Sequence, residues 1–140
     1  MKTFNNIEPL SNIDIVSKCQ ELQIKNFEGV FMRDEFKNHI PKNNECLILN
    51  IDVSSNDGTH WTCLFIKSNA CYYFDSYGFP PPKEVAKYLE QFTKRYWSTF
   101  RIQKPDQVIC GHFCIYMLYR LNNGFTFYNV LDELYRCNNN

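Results

Sequence analysis

The sequence predicts an α+β domain in which a central mixed or antiparallel sheet packs against a helix that begins at Cys110. A continuous apolar run over 46–51 has the length of a buried strand. Two runs rich in aromatic and β-branched residues flank Ser68 and Asn69, a pattern typical of a β-hairpin. Residues 110–121 are apolar with the period of a helix.

Composition limits the class of protein. The chain has 140 residues and no break in composition, so we expect one compact domain over residues 1–140. Lys plus Arg and Asp plus Glu number 15 each, so no overall charge attracts nucleic acid or an anionic membrane. No apolar run is long enough for a membrane span. Seven cysteines without a secretory signal favour an intracellular protein with reduced thiols.

In the N-terminal third, Ser11 is a good cap for a helix of about a dozen residues. Its expected apolar side is formed by Ile13, Val16, Cys19 or Gln20, and Leu22. The stretch with Gly29 and Pro41 is typical of a loop, and Cys46–Ile51 follows as a buried strand.

The predicted hairpin carries the first functional expectation. Its parts are Thr59–Lys67, the turn Ser68–Asn69, and Cys71–Asp75. A symmetric hairpin makes His60 face Tyr77 and makes Asp75 a diagonal neighbour of His60, about 7–8 Å away along the backbone. An imidazole and a carboxylate meet across that distance, unless a bulge shifts the register.

The second half of the chain supplies four further elements. The prolines Pro80, Pro81 and Pro82 form a corner that opens a helix. The elements that we expect here are a helix with Val85, Tyr88, Leu89 and Phe92 on one side, a strand over Tyr96–Ile102, a central helix over Cys110–Leu121, and a short helix over Thr126–Tyr135.

Cys110 is the candidate nucleophile. Free backbone N–H groups and the dipole at a helix start favour a thiolate over a thiol. With His60 and Asp75 it forms the set of groups used for acyl transfer, most often peptide hydrolysis. Each residue also has an ordinary structural interpretation: a packed cysteine, a half-buried histidine, and an aspartate in a turn.

Other histidines and a metal site are weaker candidates. His112 follows Cys110 by two residues, which on a helix points it to nearly the opposite side. His39 precedes Pro41 in a polar loop, where we expect it in solvent. Cys110, His112 and Cys114 lack the paired spacing of a zinc knuckle, so we expect no metal and no cofactor.

Three segments in order resemble the adenovirus protease (adenain) family and the larger clan of SUMO and ubiquitin-like proteases. They are GTHWTCLFI, YYFDSYGFP and QKPDQVICGHFCIYML. The resemblance implies an adenain-like, papain-like cysteine protease fold. The short C-terminal part is closer to the proteases of Polinton (Maverick) transposons and related double-stranded DNA viruses.

The resemblance also implies residue roles and an activity. The roles are His60 as general base, Asp75 as its orienting acid, Cys110 as nucleophile, Gln103 as oxyanion donor, and Trp61 and Gly111 in the substrate site. The implied activity is that of an endopeptidase that matures virion or capsid proteins in the nucleus or cytoplasm of a eukaryotic host, or in the virion. An isopeptidase for ubiquitin-like modifiers, an acetyltransferase of the same clan and an inert binding module stay open.

Partners follow from the same resemblance. A protease needs a protein substrate, and adenovirus proteases also bind an activating peptide and DNA. Because Phe92–Ile102 contains no cysteine, we expect no disulfide link to such a peptide. The candidate DNA surface consists of Lys94, Arg95, Tyr96, Trp97, Phe100, Arg101 and Lys104.

Overall fold

The computed structural model describes residues 8–52 and 60–139, which form a five-stranded mixed sheet with helices on both faces. The strands are β1 Phe27–Met32, β2 Glu45–Asn50, β3 Trp61–Lys67, β4 Ala70–Phe74 and β5 Lys94–Trp97. The helices are α1 Asn12–Glu21, α2 Arg33–Phe36, α3 Lys83–Leu89, α4 Cys110–Asn122 and α5 Phe127–Asn139. The predicted α+β class is confirmed.

The strands lie in the order β1-β2-β3-β4-β5. The central pairs β2–β3 and β3–β4 are antiparallel, whereas β1 and β5 add parallel to the two sides. The sheet is therefore mixed, one of the two arrangements that the sequence left open.

Side chains alternate between two cores, one on each face of the sheet. Leu64 and Ile66 of β3 pack with α2 and α3, while Cys63 of the same strand packs with α1, α4 and α5. Because both faces are covered, β2 is buried along its whole length, as the apolar run at 46–51 predicted.

The predicted hairpin register is confirmed for the paired residues 63–67 and 70–74. Lys67 pairs with Ala70 and Cys63 pairs with Phe74. Ser68 and Asn69 have φ angles of 52° and 63°, the left-handed conformation that a two-residue hairpin turn requires. Gly58 and Thr59, which the sequence placed at the start of this segment, lie outside the described residues.

The first helix begins where the sequence predicted, and part of its expected apolar side faces the core. Ser11 Oγ accepts from the Asp14 N–H at 3.1 Å and Asp14 Oδ2 accepts from the Ser11 N–H at 3.0 Å, a reciprocal capping box. The expectation was wrong for Ile13, which is 75 % exposed, and right for Cys19, which is buried; Ile15, which was not expected on this side, is buried as well. Ile15 packs beside Gly111 at the start of α4.

Several boundaries differ from the sequence expectation. Residues 27–36 form β1 and α2 where a loop was expected. The strand predicted over Tyr96–Ile102 is β5, which ends at Trp97, because the N–H groups of Ile102 and Gln103 bond to Ser76 instead of a neighbouring strand. The last helix is longer than predicted and ends at Asn139.

In the described part of the chain, no helix has both the length and the apolar character that crossing a bilayer requires.

Candidate active site

Cys110 is the first residue of α4, and the fold places it against the start of β3. Its side chain is buried, and Sγ lies 3.4 Å from the backbone nitrogen of Trp61, which donates to it. The N-cap position, Ile109, provides no side-chain cap, so the first N–H groups of the helix are free to stabilise negative charge. The thiol therefore has N–H donors from two elements around it.

His60 and Asp75 meet at the end of the hairpin, as its register predicted. His60 Nε2 and Asp75 Oδ1 are 2.7 Å apart, and both side chains are buried. The same Oδ1 accepts from the Tyr77 N–H at 2.8 Å. Two donors on one oxygen fix the carboxylate, and with Nε2 occupied, Nδ1 is the ring nitrogen left for Cys110.

The surroundings of His60 favour its charged form. Burial lowers its pKa, but hydrogen bonds to Asp75 and Cys110 and the negative charge of both groups outweigh burial and raise the pKa to about 9. The imidazole thus holds a proton at neutral pH when the thiol opposite is ionised.

Cys110 is shifted in the complementary direction. Burial raises its pKa, but the hydrogen bond with His60 and the backbone N–H groups of Trp61 and Gly111 bring the pKa below its ordinary value. A lowered thiol pKa and a raised imidazole pKa together favour a thiolate–imidazolium pair. Such a pair supplies both a nucleophile and a proton donor for a leaving group.

Gln103 lies in the loop between β5 and α4, and its side chain is buried. Its Oε1 accepts from Ser76 Oγ at 2.6 Å, and its backbone N–H donates to the Ser76 carbonyl at 2.9 Å. Its Nε2 donates to the Gln107 carbonyl at 2.5 Å and lies 3.4 Å from Tyr77 Oη. These partners fix which end of the amide carries the hydrogens.

Trp61 and Gly111 contact each other beside the thiol. The indole Nε1 of Trp61 donates to the Leu10 carbonyl at 3.2 Å. A Cβ on Gly111 would lie 3.2 Å from Cδ1 of that indole, closer than ordinary packing allows. Gly111 therefore lets the indole lie directly against the first turn of α4.

Ser76 and Tyr77 were not identified as site residues from sequence. In the Asp-Ser-Tyr-Gly segment, 75–78, only Asp75 was given a functional role, with a turn as the alternative, and Gly78 does have a φ of 75° with its N–H bonded to the Asp75 carbonyl. The structure shows that this turn also holds Gln103 through Ser76. The register that made Tyr77 face His60 was the available signal.

The expectation that His39 lies in solvent was wrong. Its Nε2 lies 2.9 Å and 3.0 Å from the two carboxylate oxygens of Glu45, and its ring stacks on Phe36 at 5.6 Å. Tyr88 Oη donates to the same carboxylate at 2.5 Å. A buried carboxylate needs such partners. Glu45 is only 6 residues from His39 but lies on β2, so the sequence gives no local signal of their pairing.

Four other thiols have their pKa shifted in the direction opposite to that of Cys110. Burial raises the pKa of Cys19 to about 12, and burial also raises the pKa of Cys46 and Cys71. The pKa of Cys114, which lies fully inside beside Cys63, is raised as well. Cys63, Cys71 and Cys114 are packed thiols, as the sequence predicted.

No protein-family model and no curated protein matches the sequence. Solved structures match the structure of this chain. The ASFV pS273R protease superposes with a TM-score of 0.68 and 19% identity, over 96% of this chain and 67% of that chain. SUMO protease Ulp1, in a structure with its catalytic cysteine oxidized to a sulfinic acid, superposes with a TM-score of 0.54 and 13% identity, over 96% of this chain and 77% of that chain.

The two superpositions each cover 96% of this chain. At this level of identity they establish the fold and leave the activity to chemical argument. The protein has the adenain/Ulp1-like cysteine protease fold.

Proposed function

We propose that this protein is a cysteine endopeptidase in which Cys110 is the nucleophile, His60 the general acid and base, and Asp75 the group that orients the imidazole. The observation that carries the proposal is the assembly of these three side chains at one point of the fold, with the pKa of Cys110 lowered and the pKa of His60 raised. The proposed unit is the single domain 1–140.

The chemistry follows from the geometry. The Cys110 thiolate attacks the carbonyl carbon of a peptide bond, and the resulting oxyanion is stabilised by backbone N–H groups at the start of α4 and by Gln103 Nε2. The His60 imidazolium gives its proton to the departing amine, and the Cys110 thioester is then hydrolysed by water that His60 deprotonates. Loss of one oxyanion donor typically costs about 2.7–4 kcal/mol.

Trp61 and Gly111 are proposed to form one wall of the substrate site. Trp61 follows His60 in the chain, and Gly111 follows Cys110. The close approach of the Trp61 indole to Gly111 supports this proposal. We expect this wall to restrict the side chains of a substrate at the cleaved bond.

The proposed substrates are virion or capsid precursors of a virus or of a virus-like element such as a Polinton. The similarity to the ASFV pS273R protease and the sequence resemblance to adenovirus proteases support this substrate class. The proposed locations are the nucleus or cytoplasm of a eukaryotic host and the virion.

Cleavage of the capsid and core proteins encoded beside this chain tests the proposal. Purified protein is expected to cut at least one of them, and Cys110→Ala is expected to abolish the cut. Cys114→Ala is the matched control, because it removes a fully buried thiol one helical turn away. Loss of cutting in neither variant, or in both while both remain folded, would contradict the assignment of the nucleophile.

A second candidate is an isopeptidase that removes a ubiquitin-like modifier, which the similarity to SUMO protease Ulp1 supports. A panel of ubiquitin and SUMO fusions run beside the capsid precursors separates the two. Release of the modifier without cutting of the precursors would favour the isopeptidase. Consumption of an acyl-coenzyme A without peptide cleavage would instead favour the acetyltransferase chemistry that the sequence left open.

DNA and an activating peptide are proposed as further binding partners. Lys94 and Arg95 are exposed on the edge strand β5, beside Trp97, and would contribute to a surface for DNA. We expect any peptide activator to bind without a disulfide, because Phe92–Ile102 contains no cysteine. Cleavage assays with and without duplex DNA at two salt concentrations test the first point.

A further inference from the structure

The end of the last helix contacts the loop that carries Gln103. Asn138 of α5 is 5% exposed although it is polar and close to the end of the described chain. In the sequence it is the first of three consecutive asparagines, at 138–140. A buried asparagine has to be matched by hydrogen-bond partners, and here those partners lie in the Gln103 loop.

Asn138 and Gln107 form a reciprocal pair of side-chain amides. Asn138 Nδ2 donates to Gln107 Oε1 at 2.8 Å, and Gln107 Nε2 donates to Asn138 Oδ1 at 3.1 Å. Asn138 Nδ2 also donates to the Ile102 carbonyl at 2.9 Å. Gln107 Oε1 further accepts from the Lys104 N–H at 2.9 Å. Asn138 thus bonds the loop at both ends, around 102 and around 107.

Gln107 in turn holds the amide of Gln103. The Gln107 carbonyl accepts one hydrogen of Gln103 Nε2 at 2.5 Å, while Ser76 Oγ donates to Gln103 Oε1 from the other side. A side-chain amide has two donor hydrogens. The second one faces Tyr77 Oη over 3.4 Å, a long contact, and so stays available for an oxyanion.

We infer that Asn138 is a positioning residue for oxyanion stabilisation: through Gln107 it fixes the Gln103 amide, so that the C-terminal end of α5 forms part of the catalytic apparatus. The inference rests on the proposed peptidase function. Asn138 has no contact with Cys110, His60 or Asp75 among the hydrogen bonds of the described residues, so it acts on the oxyanion and leaves the thiolate–imidazolium pair unchanged.

The test compares two reactions of the same thiol in Asn138→Ala. Alkylation of Cys110 by iodoacetamide needs the thiolate and no oxyanion donor, whereas peptide cleavage needs both. We expect kcat for cleavage to fall about tenfold with KM nearly unchanged, and the rate and pH midpoint of alkylation to stay at wild-type values. Asn139→Ala is the matched control, because Asn139 reaches the Ile102 and Tyr135 carbonyls but not Gln107.

A second variant separates positioning from folding. Gln107→Ala keeps the carbonyl that binds Gln103 but removes the side chain that binds Asn138, so it is expected to reproduce the loss in kcat. The double variant is expected to be no slower than either single one, because both remove the same link. Additive losses, or a parallel loss of alkylation, would overturn the inference.

A readout without catalysis distinguishes this inference from the proposed function. Hydrogen exchange of the Gln103 side-chain amide, followed by NMR and assigned by its absence in Gln103→Ala, is expected to be faster in Asn138→Ala than in wild type. Unchanged exchange would reject the positioning role even if the protein cleaves peptides. Faster exchange in a protein that cleaves no peptide would support the positioning role of Asn138 and reject the proposed peptidase activity.

Discussion

The imidazole of His60 stacks on the ring of Tyr77, with the ring centroids 4.6 Å apart and the planes 28° from parallel. Tyr77 therefore covers one face of the ring while Asp75 bonds its Nε2. The two contacts fix both the plane and the rotation of the imidazole relative to Cys110.

Tyr77→Ala is expected to lower kcat about three- to tenfold, because aromatic stacking contributes about 0.5–1.5 kcal/mol to holding a ring. Tyr77→Phe keeps the stacked ring and loses only the long contact to Gln103, so its rate should lie between those of wild type and Tyr77→Ala. Cleavage rates of the three proteins give the measurement. A slower rate for Tyr77→Phe than for Tyr77→Ala would contradict the role of the stack.

The pH dependence of Cys110 alkylation should report the thiolate–imidazolium pair. In wild type the rate is expected to rise with pH to a midpoint below 9.0, the ordinary thiol value, because the pKa of Cys110 is lowered. In His60→Ala the midpoint should move upward, since burial remains while the hydrogen bond and positive charge are gone. Mass spectrometry of the peptide that contains Cys110 follows the reaction, and an unmoved midpoint would reject the pair.

Asp75→Asn tests the alkaline limb of the pH profile of peptide cleavage. Cleavage needs His60 protonated, so the rate should fall as the pH rises through about 9, the raised pKa of His60. Asp75 raises that pKa by its hydrogen bond and its charge, and Asp75→Asn should therefore move the alkaline fall to lower pH. A fall at the same pH in both proteins would show that another group controls the alkaline limb.

Gly78→Ala should destabilise the fold more than Gly124→Ala. Both glycines have a positive φ, 75° and 91°, so both alanines are strained by about 1–2 kcal/mol. A Cβ on Gly78 would also lie 2.5 Å from the backbone oxygen of Phe100, whereas nothing lies within 4 Å of a Cβ on Gly124. Urea unfolding of both variants measures the difference, and equal losses would mean that the Phe100 backbone moves freely.

Tyr88→Phe should lower the free energy of unfolding by about 1.5–3 kcal/mol, because it removes a hydrogen bond to the buried carboxylate of Glu45. Tyr116→Phe is the matched control. Tyr116 Oη donates to Glu133 at 2.7 Å in a partly exposed position where Arg120 also pairs with that carboxylate. Loss of this hydrogen bond should lower the free energy of unfolding by about 1 kcal/mol or less. A larger loss in Tyr116→Phe than in Tyr88→Phe would contradict the effect of burial.

Local sequence signals determined the parts of the molecule that depend on neighbouring residues. Ser11 and Asp14 cap α1, Ser68 and Asn69 set the turn, and the start of α4 at Cys110 follows from an apolar helical period after a polar loop. The hairpin register then brings His60 and Asp75 together, because a two-residue turn leaves little freedom in strand pairing.

Tertiary structure alone decided the features that join distant segments. The strand β1 was missed because its parallel partner, β2, begins many residues later and its own residues are only half buried. The partnership of His39 with Glu45 and of Asn138 with Gln107 was missed for a related reason: a polar side chain reveals a buried partner only once the fold removes water from both. Capping and turn formation are short-range, whereas burial of polar groups is set by the packing of the whole chain.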